Sequence, residues 1–328
     1  MPGAMPGATP SGDATSMPGG TLTPTEMEPT EVGPTEMDAT AEPTPTPTTG
    51  SGTCCTDGDC TCLGPEPTAD ALRTMGPFTV EKYTDGFPKG TGYLAGTIYY
   101  PADAEGQLSV ITLCPGWTAT QDSVGSVGPW GPFLASHGFV VMTLDTLTTL
   151  DVVEQRDEQI MAALNAVNGE NTRSGSPLEG RLSGRYGIGG WSMGGGGTWI
   201  VAATEPEMQS AMSLAGHHST VPGFVQTYAT KITVPTIIFA GETDIPPLGN
   251  RPQSQEIYEG IPESTPKILY EIVGQDHFQF GTPMVTNMGY LGAYGLAFQK
   301  TFLDGDERYK QFLLTEGPNA SDWRSNVQ

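Results

Sequence analysis

The sequence predicts an α/β fold, in which a mostly parallel central sheet is flanked by helices. Short apolar runs rich in β-branched residues alternate along the chain with longer segments of helical periodicity. This alternation is typical of parallel sheets that are covered on both faces. A glycine-rich turn joins one apolar run directly to a helical segment. After a Thr- and Pro-rich start, roughly 260 residues remain, which suits one domain of this class.

Eight segments are predicted to form strands, because each is a short apolar run bounded by turn-forming residues. They are Phe78–Thr84, Tyr93–Tyr100, Leu108–Cys114, Phe139–Asp145, Arg185–Trp191, Gln209–Leu214, Val234–Ala240 and Lys267–Val273. The clearest predicted helix is Asp151–Asn168, whose apolar residues recur on one face. These residues are Val153, Ile160, Leu164 and Val167. A last helix near Leu291–Leu303 is expected to close the fold.

The glycine-rich turn Gly190–Gly194 has the sequence GWSMG and matches the pattern G-x-S-x-G. With 44 glycines in the chain, the pattern alone carries little weight. Its context is more specific, because a predicted strand precedes it and a predicted helix, Thr198–Ala203, follows it. Strand, tight turn and helix together form a nucleophile elbow, which presents a serine beside a helix N-terminus. Ser192 is therefore the candidate nucleophile.

A serine nucleophile of this type needs a histidine base and an acid, which follow it in the order acid, then histidine. His277 is the only one of the four histidines that follows Asp244. Asp244 comes just after a predicted strand, so we expect it to orient His277, the general base. Glu242 and Asp276 are the rival acids. Asp276 adjoins His277 in the sequence, and adjacent side chains usually point apart.

An oxyanion hole needs two backbone N–H groups near the nucleophile. One is expected from Met193, the residue after Ser192, and the other from the loop after an early strand. That loop begins with the sequence PGWTA, which points to the N–H of Trp117. No sizeable insertion lies between the sixth predicted strand and Asp244, so we expect no large lid and a cleft open to a bulky or polymeric substrate.

These segments resemble the bacterial cutinase-like polyester hydrolases, which include the poly(ethylene terephthalate) (PET) hydrolases. The matching residues are Pro115–Ala119 with Gln121, Trp130–Val141, Asp145–Thr146 with Thr149–Asp151, Gly190–Gly197, Gly241–Asp244, His277–Phe278 and Phe302–Tyr309. The resemblance runs from about Pro77 to the C-terminus. It implies an α/β-hydrolase fold, the triad Ser192, Asp244 and His277, and an oxyanion hole at Trp117 and Met193. Its members are ester hydrolases that act through an acyl-enzyme.

The substrate is expected to contact six residues, and no metal ion or cofactor is expected. The six are Trp117, Thr118, Trp191, His217, Ile245 and Phe278. Two of them depart from the family pattern. The family usually has Tyr or Phe at Trp117, and it has a mobile Trp that stacks on a terephthalate ring where His217 stands. The common C-terminal disulfide is also absent, because Leu314 replaces its first cysteine and no cysteine follows Cys114.

The change at His217 keeps an alternative open, a small-ester carboxylesterase or lipase with little action on polymers. His217 and its neighbour His218 are either substrate contacts or solvent-facing loop residues. A second alternative is a non-catalytic surface-binding protein on a hydrolase scaffold. The intact triad order and oxyanion loop argue against it, because a pure binder has no use for them.

Charge and cysteine content divide the chain. The formal net charge is −23, and residues 1–70 hold 11 acidic residues and no Lys or Arg. This acidity argues against nucleic acid as a partner. Residues 1–53 are predicted to be a disordered acidic linker or stalk, residues 54–67 a small Cys-rich segment, and residues 68–328 the catalytic domain. The four cysteines Cys54, Cys55, Cys60 and Cys62 are expected to pair as disulfides, in one of three connectivities, with a zinc site as the alternative.

The N-terminus lacks the basic and apolar regions of a signal peptide, and no apolar run is long enough to span a membrane. We expect that an export signal or lipid-attachment segment was removed upstream. The expectation is a secreted or cell-surface bacterial enzyme, monomeric and tethered through its stalk. A cytosolic protein with a disordered tail is the alternative. Cys114, His137 and Trp199 are predicted to be structural residues.

Overall fold

The computed structural model describes residues 63–219, 223–245 and 250–328. The predicted stalk and the four clustered cysteines lie outside the described residues. Nine strands are described: β1 Val80–Tyr83, β2 Ala95–Pro101, β3 Leu108–Cys114, β4 Val140–Asp145, β5 Leu182–Trp191, β6 Ser210–Leu214, β7 Thr236–Gly241, β8 Lys267–Ile272 and β9 Ala320–Ser325. The described α-helices are α1 Trp130–Ser136, α2 Val153–Glu170, α3 Met193–Thr204, α4 Phe224–Thr227, α5 Arg251–Gly260 and α6 Tyr290–Phe298.

The strands form one sheet in the order β1-β2-β4-β3-β5-β6-β7-β8-β9. The six strands from β4 to β8 in this order run parallel. Strands β1 and β2 at one edge and β9 at the other are antiparallel to their neighbours. The prediction of a mostly parallel sheet flanked by helices is confirmed, and each of the eight predicted strands has a counterpart in this sheet.

Helices bury apolar side chains against both faces of the sheet. Helices α2 and α3 contribute Val153, Ile160 and Trp199 to the core on one face. Helices α1 and α6 contribute residues such as Phe133 and Leu291 to the core on the other face. Because side chains alternate along a strand, β3 supplies both cores. The four apolar residues predicted on one face of α2 are all buried, as are Cys114 and Trp199.

The C-terminal region differs from the expectation that a helix closes the fold. The predicted helix Leu291–Leu303 is present as α6 followed by a π-helical turn, Gln299–Leu303. The chain then continues to β9, which pairs with β8. Strand β9 was not predicted from the sequence because it is a half-exposed edge strand with polar and charged residues, so it lacks an apolar run.

The connection between β6 and β7 holds no large insertion in its described part. Between β6 and β7, residues 223–235 form only the four-residue helix α4 and one 3-10 turn, Ala229–Lys231. In the described part of the chain, no helix is long and apolar enough to cross a membrane.

Candidate active site

The candidate site lies at the carboxyl ends of four parallel strands. Strand β3 leads to the loop of Trp117, β5 to Ser192, β7 to Asp244 and β8 to the loop of His277. These strands share one sheet and run in one direction, so their ends meet at one edge. Crevices at this edge are where open α/β sheets bind their ligands.

Ser192 occupies the turn between β5 and α3 in a strained backbone conformation, with φ 56° and ψ −121°. The flanking glycines make this turn sterically possible. A Cβ on Gly190 would lie 2.4 Å from the carbonyl carbon of Gly194, and a Cβ on Gly194 would lie 2.2 Å from the carbonyl oxygen of Cys114. Both distances are far below van der Waals contact. The G-x-S-x-G pattern therefore reflects close backbone packing around the serine.

The three side chains proposed as the triad form one hydrogen-bonded row. His277 Nε2 lies 2.9 Å from Ser192 Oγ, and His277 Nδ1 lies 3.1 Å from Asp244 Oδ2. The Asp244 side chain is 1 % exposed and that of His277 is 13 % exposed. With Nδ1–H donating to the carboxylate, Nε2 is free to accept the serine proton, which is the arrangement that general-base catalysis requires.

The rival acids do not join this row. Glu242 accepts a hydrogen bond from the backbone N–H of Gly274 through Oε2. Asp276 accepts one from the backbone N–H of Phe278 and is exposed. Neither carboxylate has a described contact with the His277 ring. The geometry therefore favours Asp244 among the three acids.

Asn250 is a residue of the site that was not predicted from the sequence. It is buried, and its backbone N–H donates to Asp244 Oδ1 at 2.9 Å. It occupies the N-cap position of α5, yet its side chain does not cap that helix. The amide Nδ2 instead donates to the Ala215 carbonyl oxygen at 3.1 Å. An Asn before Arg251-Pro252 does signal a helix start, but that pattern gives no hint of a contact with the acid.

The loop proposed for the oxyanion hole packs directly on the elbow. A Cβ on Gly116 would lie 2.9 Å from the Cβ of Ser192, so Trp117 follows a residue in contact with the nucleophile. The fully buried guanidinium of Arg156 donates to the Pro115 carbonyl oxygen at 2.9 Å. The backbone N–H of Thr118 donates to the Thr149 carbonyl oxygen at 2.7 Å. These contacts fix the loop beside Met193, the first residue of α3.

The residues expected to contact substrate fall into two groups. Trp117, Ile245 and Phe278 are each more than half exposed and form an apolar rim. Thr118, also exposed, donates through Oγ1 to the Trp117 carbonyl oxygen. Trp191 belongs to the second group, because it is only 4 % exposed. Its Nε1 donates to the His277 carbonyl oxygen at 2.8 Å, and its ring centroid lies 5.1 Å from that of His277, so it supports the base.

The two adjacent histidines have fixed positions. His217 is half-buried, and its Nδ1 lies 2.7 Å from Asn250 Oδ1. Burial lowers the pKa of His217 from its usual value, which favours the neutral ring. The ring of His218 stacks on Phe224 with centroids 5.3 Å apart, and its Nε2 lies 3.3 Å from Glu256. His218 therefore contacts α4 and α5 through its ring, and not the triad.

Among the described residues, no group of three or more His, Cys, Asp or Glu side chains is arranged to hold a metal ion. The row of Ser192, His277 and Asp244 needs none for the chemistry it can perform. A serine activated by a buried histidine–carboxylate pair, next to backbone N–H groups, can attack a carbonyl carbon and form an acyl-enzyme.

The chain is similar to known proteins over most of its length. The model of the PETase family, described as PET hydrolase-like, matches residues 56–327. Bis(hydroxyethyl) terephthalate hydrolase from Streptomyces coelicolor is 35 % identical over 254 residues, which cover 76 % of each chain. Cutinase 1 from Thermobifida cellulosilytica is 37 % identical over 254 residues, or 76 % of this chain and 89 % of the relative. A cutinase from Thermobifida fusca is 37 % identical over 254 residues, or 76 % of this chain and 78 % of the relative.

Proposed function

This chain belongs to the PET hydrolase-like family, and we propose that it is a serine ester hydrolase of the cutinase type that acts on polyesters, PET included. The observation that carries the proposal is the continuous row from Ser192 Oγ through His277 to the buried Asp244. Such a row turns a weak hydroxyl nucleophile into one that attacks an ester carbonyl.

The first half of the reaction forms an acyl-enzyme. Ser192 Oγ attacks the ester carbonyl carbon while His277 Nε2 takes its proton, and Asp244 stabilises the resulting imidazolium. The tetrahedral oxyanion accepts hydrogen bonds from the Met193 and Trp117 backbone N–H groups, and one such donor is worth about 2.7–4 kcal/mol of barrier. His277 then donates the proton to the leaving alcohol, and the acyl group stays on Ser192.

The second half reverses these roles with water. His277 takes a proton from a water molecule as that water attacks the acyl carbon, and the same oxyanion hole stabilises the new intermediate. The proton returns to Ser192 Oγ as the acid product leaves. A long chain can lie across the site during both halves, because the apolar rim of Trp117, Ile245 and Phe278 is open to solvent.

The test measures hydrolysis of a soluble nitrophenyl ester and of an amorphous PET film by one purified sample. Ser192→Ala should lose turnover of both substrates and keep its melting temperature. The matched control is Ser174→Ala, because Ser174 is an exposed serine in the turn after α2, and this variant should keep the parent rate. Retained hydrolysis by Ser192→Ala would contradict the proposal.

The alternative of a small-ester carboxylesterase is favoured by one observation. His217 stands where an aromatic clamp is expected, and its ring is held by Asn250. Turnover of the soluble ester without attack on the film would support this alternative. Inactivity of the folded parent on both substrates would support a non-catalytic binding protein instead.

We propose further that the enzyme is an exported monomer whose Thr- and Pro-rich residues 1–53 carry the catalytic domain from 68 to 328 at the cell surface. The acidity of that segment, with no Lys or Arg up to residue 70, and its composition support this role. Fractionation of the producing cells into cytoplasm, envelope and medium tests the location. Light scattering of the purified chain tests the oligomeric state, and the mass of a dimer would refute the proposed monomer.

A further inference from the structure

His217 is tied to the catalytic machinery at two points. Its backbone N–H donates to the carbonyl oxygen of Ser192 at 2.8 Å. Its ring Nδ1 lies 2.7 Å from Asn250 Oδ1. One residue therefore contacts both the turn that carries the nucleophile and the loop that holds the acid.

The direction of the His217–Asn250 hydrogen bond follows from the other contacts of Asn250. Its amide Nδ2 donates to the Ala215 carbonyl oxygen at 3.1 Å, which leaves the amide oxygen facing His217. An amide oxygen only accepts, so His217 must donate from Nδ1–H. Burial lowers the pKa of His217, and the neutral ring with its proton on Nδ1 satisfies this geometry.

Asn250 also contacts the acid directly. Its backbone N–H donates to Asp244 Oδ1 at 2.9 Å, while Asp244 Oδ2 faces His277. The five residues thus form a closed ring of hydrogen bonds, which runs from Ser192 through His217, Asn250, Asp244 and His277 back to Ser192. Every link is between 2.7 and 3.1 Å long.

We propose that His217 and Asn250 are positioning residues, which hold the Asp244 carboxylate at a fixed place relative to Ser192. A carboxylate that receives one hydrogen bond on each oxygen cannot rotate away from His277 without breaking one of them. Preorganisation of this kind lowers the barrier because the groups need no rearrangement during reaction. The inference rests on the proposed serine ester hydrolase.

On this proposal the side chain at 217 contributes to the rate through the triad, whether or not its ring also stacks on a substrate. An imidazole held at Nδ1 by a buried amide has a fixed ring plane. A substitution that keeps the ring but removes the donor separates the two roles. Phe is such a residue, and Gln is the converse, since it has an N–H donor and no ring.

The experiment compares kcat and KM on a soluble nitrophenyl ester for the parent, His217→Phe, His217→Gln and Asn250→Ala. In His217→Phe and Asn250→Ala we expect kcat and kcat/KM to fall together by about tenfold, or about 1.4 kcal/mol of barrier, with KM within twofold. His217→Gln should recover most of the rate that His217→Phe loses. The double variant of His217→Phe and Asn250→Ala should lose no more than Asn250→Ala alone, because both act on one path.

Controls separate this inference from a loss of folding and from failure of the proposed function. Asn168→Ala removes an amide that contacts Tyr186 near the end of α2, and it should keep the parent rate. Melting curves identify any variant that has lost its fold. If one has, the rates of His217→Phe and His217→Gln decide whether the hydrogen-bond donor at 217 is needed. Equal rates for parent and His217→Phe, or a loss confined to KM, would overturn the inference. A parent with no serine-dependent turnover would overturn the proposed function instead.

Discussion

Among single residues, three carboxylates are candidates for the acid that orients His277. Asp244 competes with Glu242 and Asp276, and it alone of these three carboxylates contacts His277. Its side chain is almost fully buried, so its charge acts on the imidazole with little screening by solvent. The identity of the acid can be separated from folding by exchanging a carboxylate for an amide of equal size.

Asp244→Asn should lower kcat on the soluble ester by about 10³–10⁴-fold, because the amide favours the wrong tautomer of His277. The matched controls are Glu242→Gln and Asp276→Asn, which alter the rival acids in the same way and should stay within threefold of the parent. The measurement is steady-state kinetics on the nitrophenyl ester. A larger loss in either control than in Asp244→Asn would assign the acid differently.

The glycines of the elbow give a second test at the level of one residue. Gly194→Ala should lower the free energy of unfolding by at least about 2 kcal/mol, because the new Cβ would overlap the Cys114 carbonyl oxygen. Gly169→Ala in α2 is the control, since nothing lies within 4 Å of its Cβ position. Alanine should stabilise that helix by up to about 1 kcal/mol. Urea denaturation measures both, and similar values for the two variants would contradict the steric explanation.

Among the helices and strands, the buried Glu271 joins β8 to its neighbours. Its carboxylate accepts hydrogen bonds from Arg251 Nε at 2.8 Å and Gln255 Nε2 at 2.9 Å in α5, and from Ser321 Oγ at 2.7 Å in β9. The first residue of α5 also donates its backbone N–H to the Asp244 carbonyl oxygen at 2.8 Å. These hydrogen bonds therefore fix α5, which begins next to the loop that carries Asp244.

Glu271→Ala should destabilise the protein by about 2–3 kcal/mol, because Arg251 and Gln255 lose a buried, charged hydrogen-bond acceptor. Glu259→Ala is the control, since this carboxylate is 65 % exposed and pairs with Arg324 at 3.0 Å. Loss of an exposed pair should cost at most about 1 kcal/mol. Thermal and urea unfolding of both variants test the difference. Equal destabilisation would mean that burial does not set the strength of these pairs.

For the molecule as a whole, stability should depend on pH through a buried histidine. His137 donates from Nε2 to the Thr74 carbonyl oxygen at 2.9 Å, and burial lowers its pKa to about 4. The positive charge of nearby Lys300 acts in the same direction. In the unfolded chain a histidine has a pKa of about 6.5, so between these values the unfolded state binds the extra proton.

The free energy of unfolding should therefore fall as the pH drops from about 6.5 to about 4, with His137 contributing about 2–3 kcal/mol of the loss. His137→Gln keeps a donor for Thr74 and cannot titrate, so its stability should decline less over this range. Urea unfolding at pH 7, 5.5 and 4.5 measures both proteins. Parallel curves for parent and variant would show that another group controls this pH dependence.

The open rim predicts a difference between polymer and small substrates. Phe278→Ser should lower the rate on PET film by about tenfold and the rate on the soluble ester by less than threefold, because a film covers the rim and a small ester reaches only the triad. A tenfold loss is roughly what removal of one aromatic ring from the contact with a bound film should cause. Leu314→Ser alters a similarly exposed apolar residue outside these loops and serves as the control. Equal losses on both substrates would argue against a specific role of the rim in binding the polymer.

The α/β class, the order of eight strands along the chain, and the candidate nucleophile, base and acid could all be predicted from the sequence. These features are local, since apolar runs, a strained glycine turn and residues at strand ends are all visible within a few positions. The edge strand β9 could not be predicted in this way, because its stability comes from pairing with β8 and from contacts such as Ser321 with Glu271.

Which residues meet at the site depends instead on the tertiary structure. Asn250 contacts Asp244 and His217, which are 6 and 33 positions away, and no local pattern encodes a contact at the larger separation. Trp191 likewise is buried against His277, although its neighbour in the sequence is the nucleophile. Long-range packing sets these contacts, because a side chain's partners depend on how the sheet brings distant strand ends together.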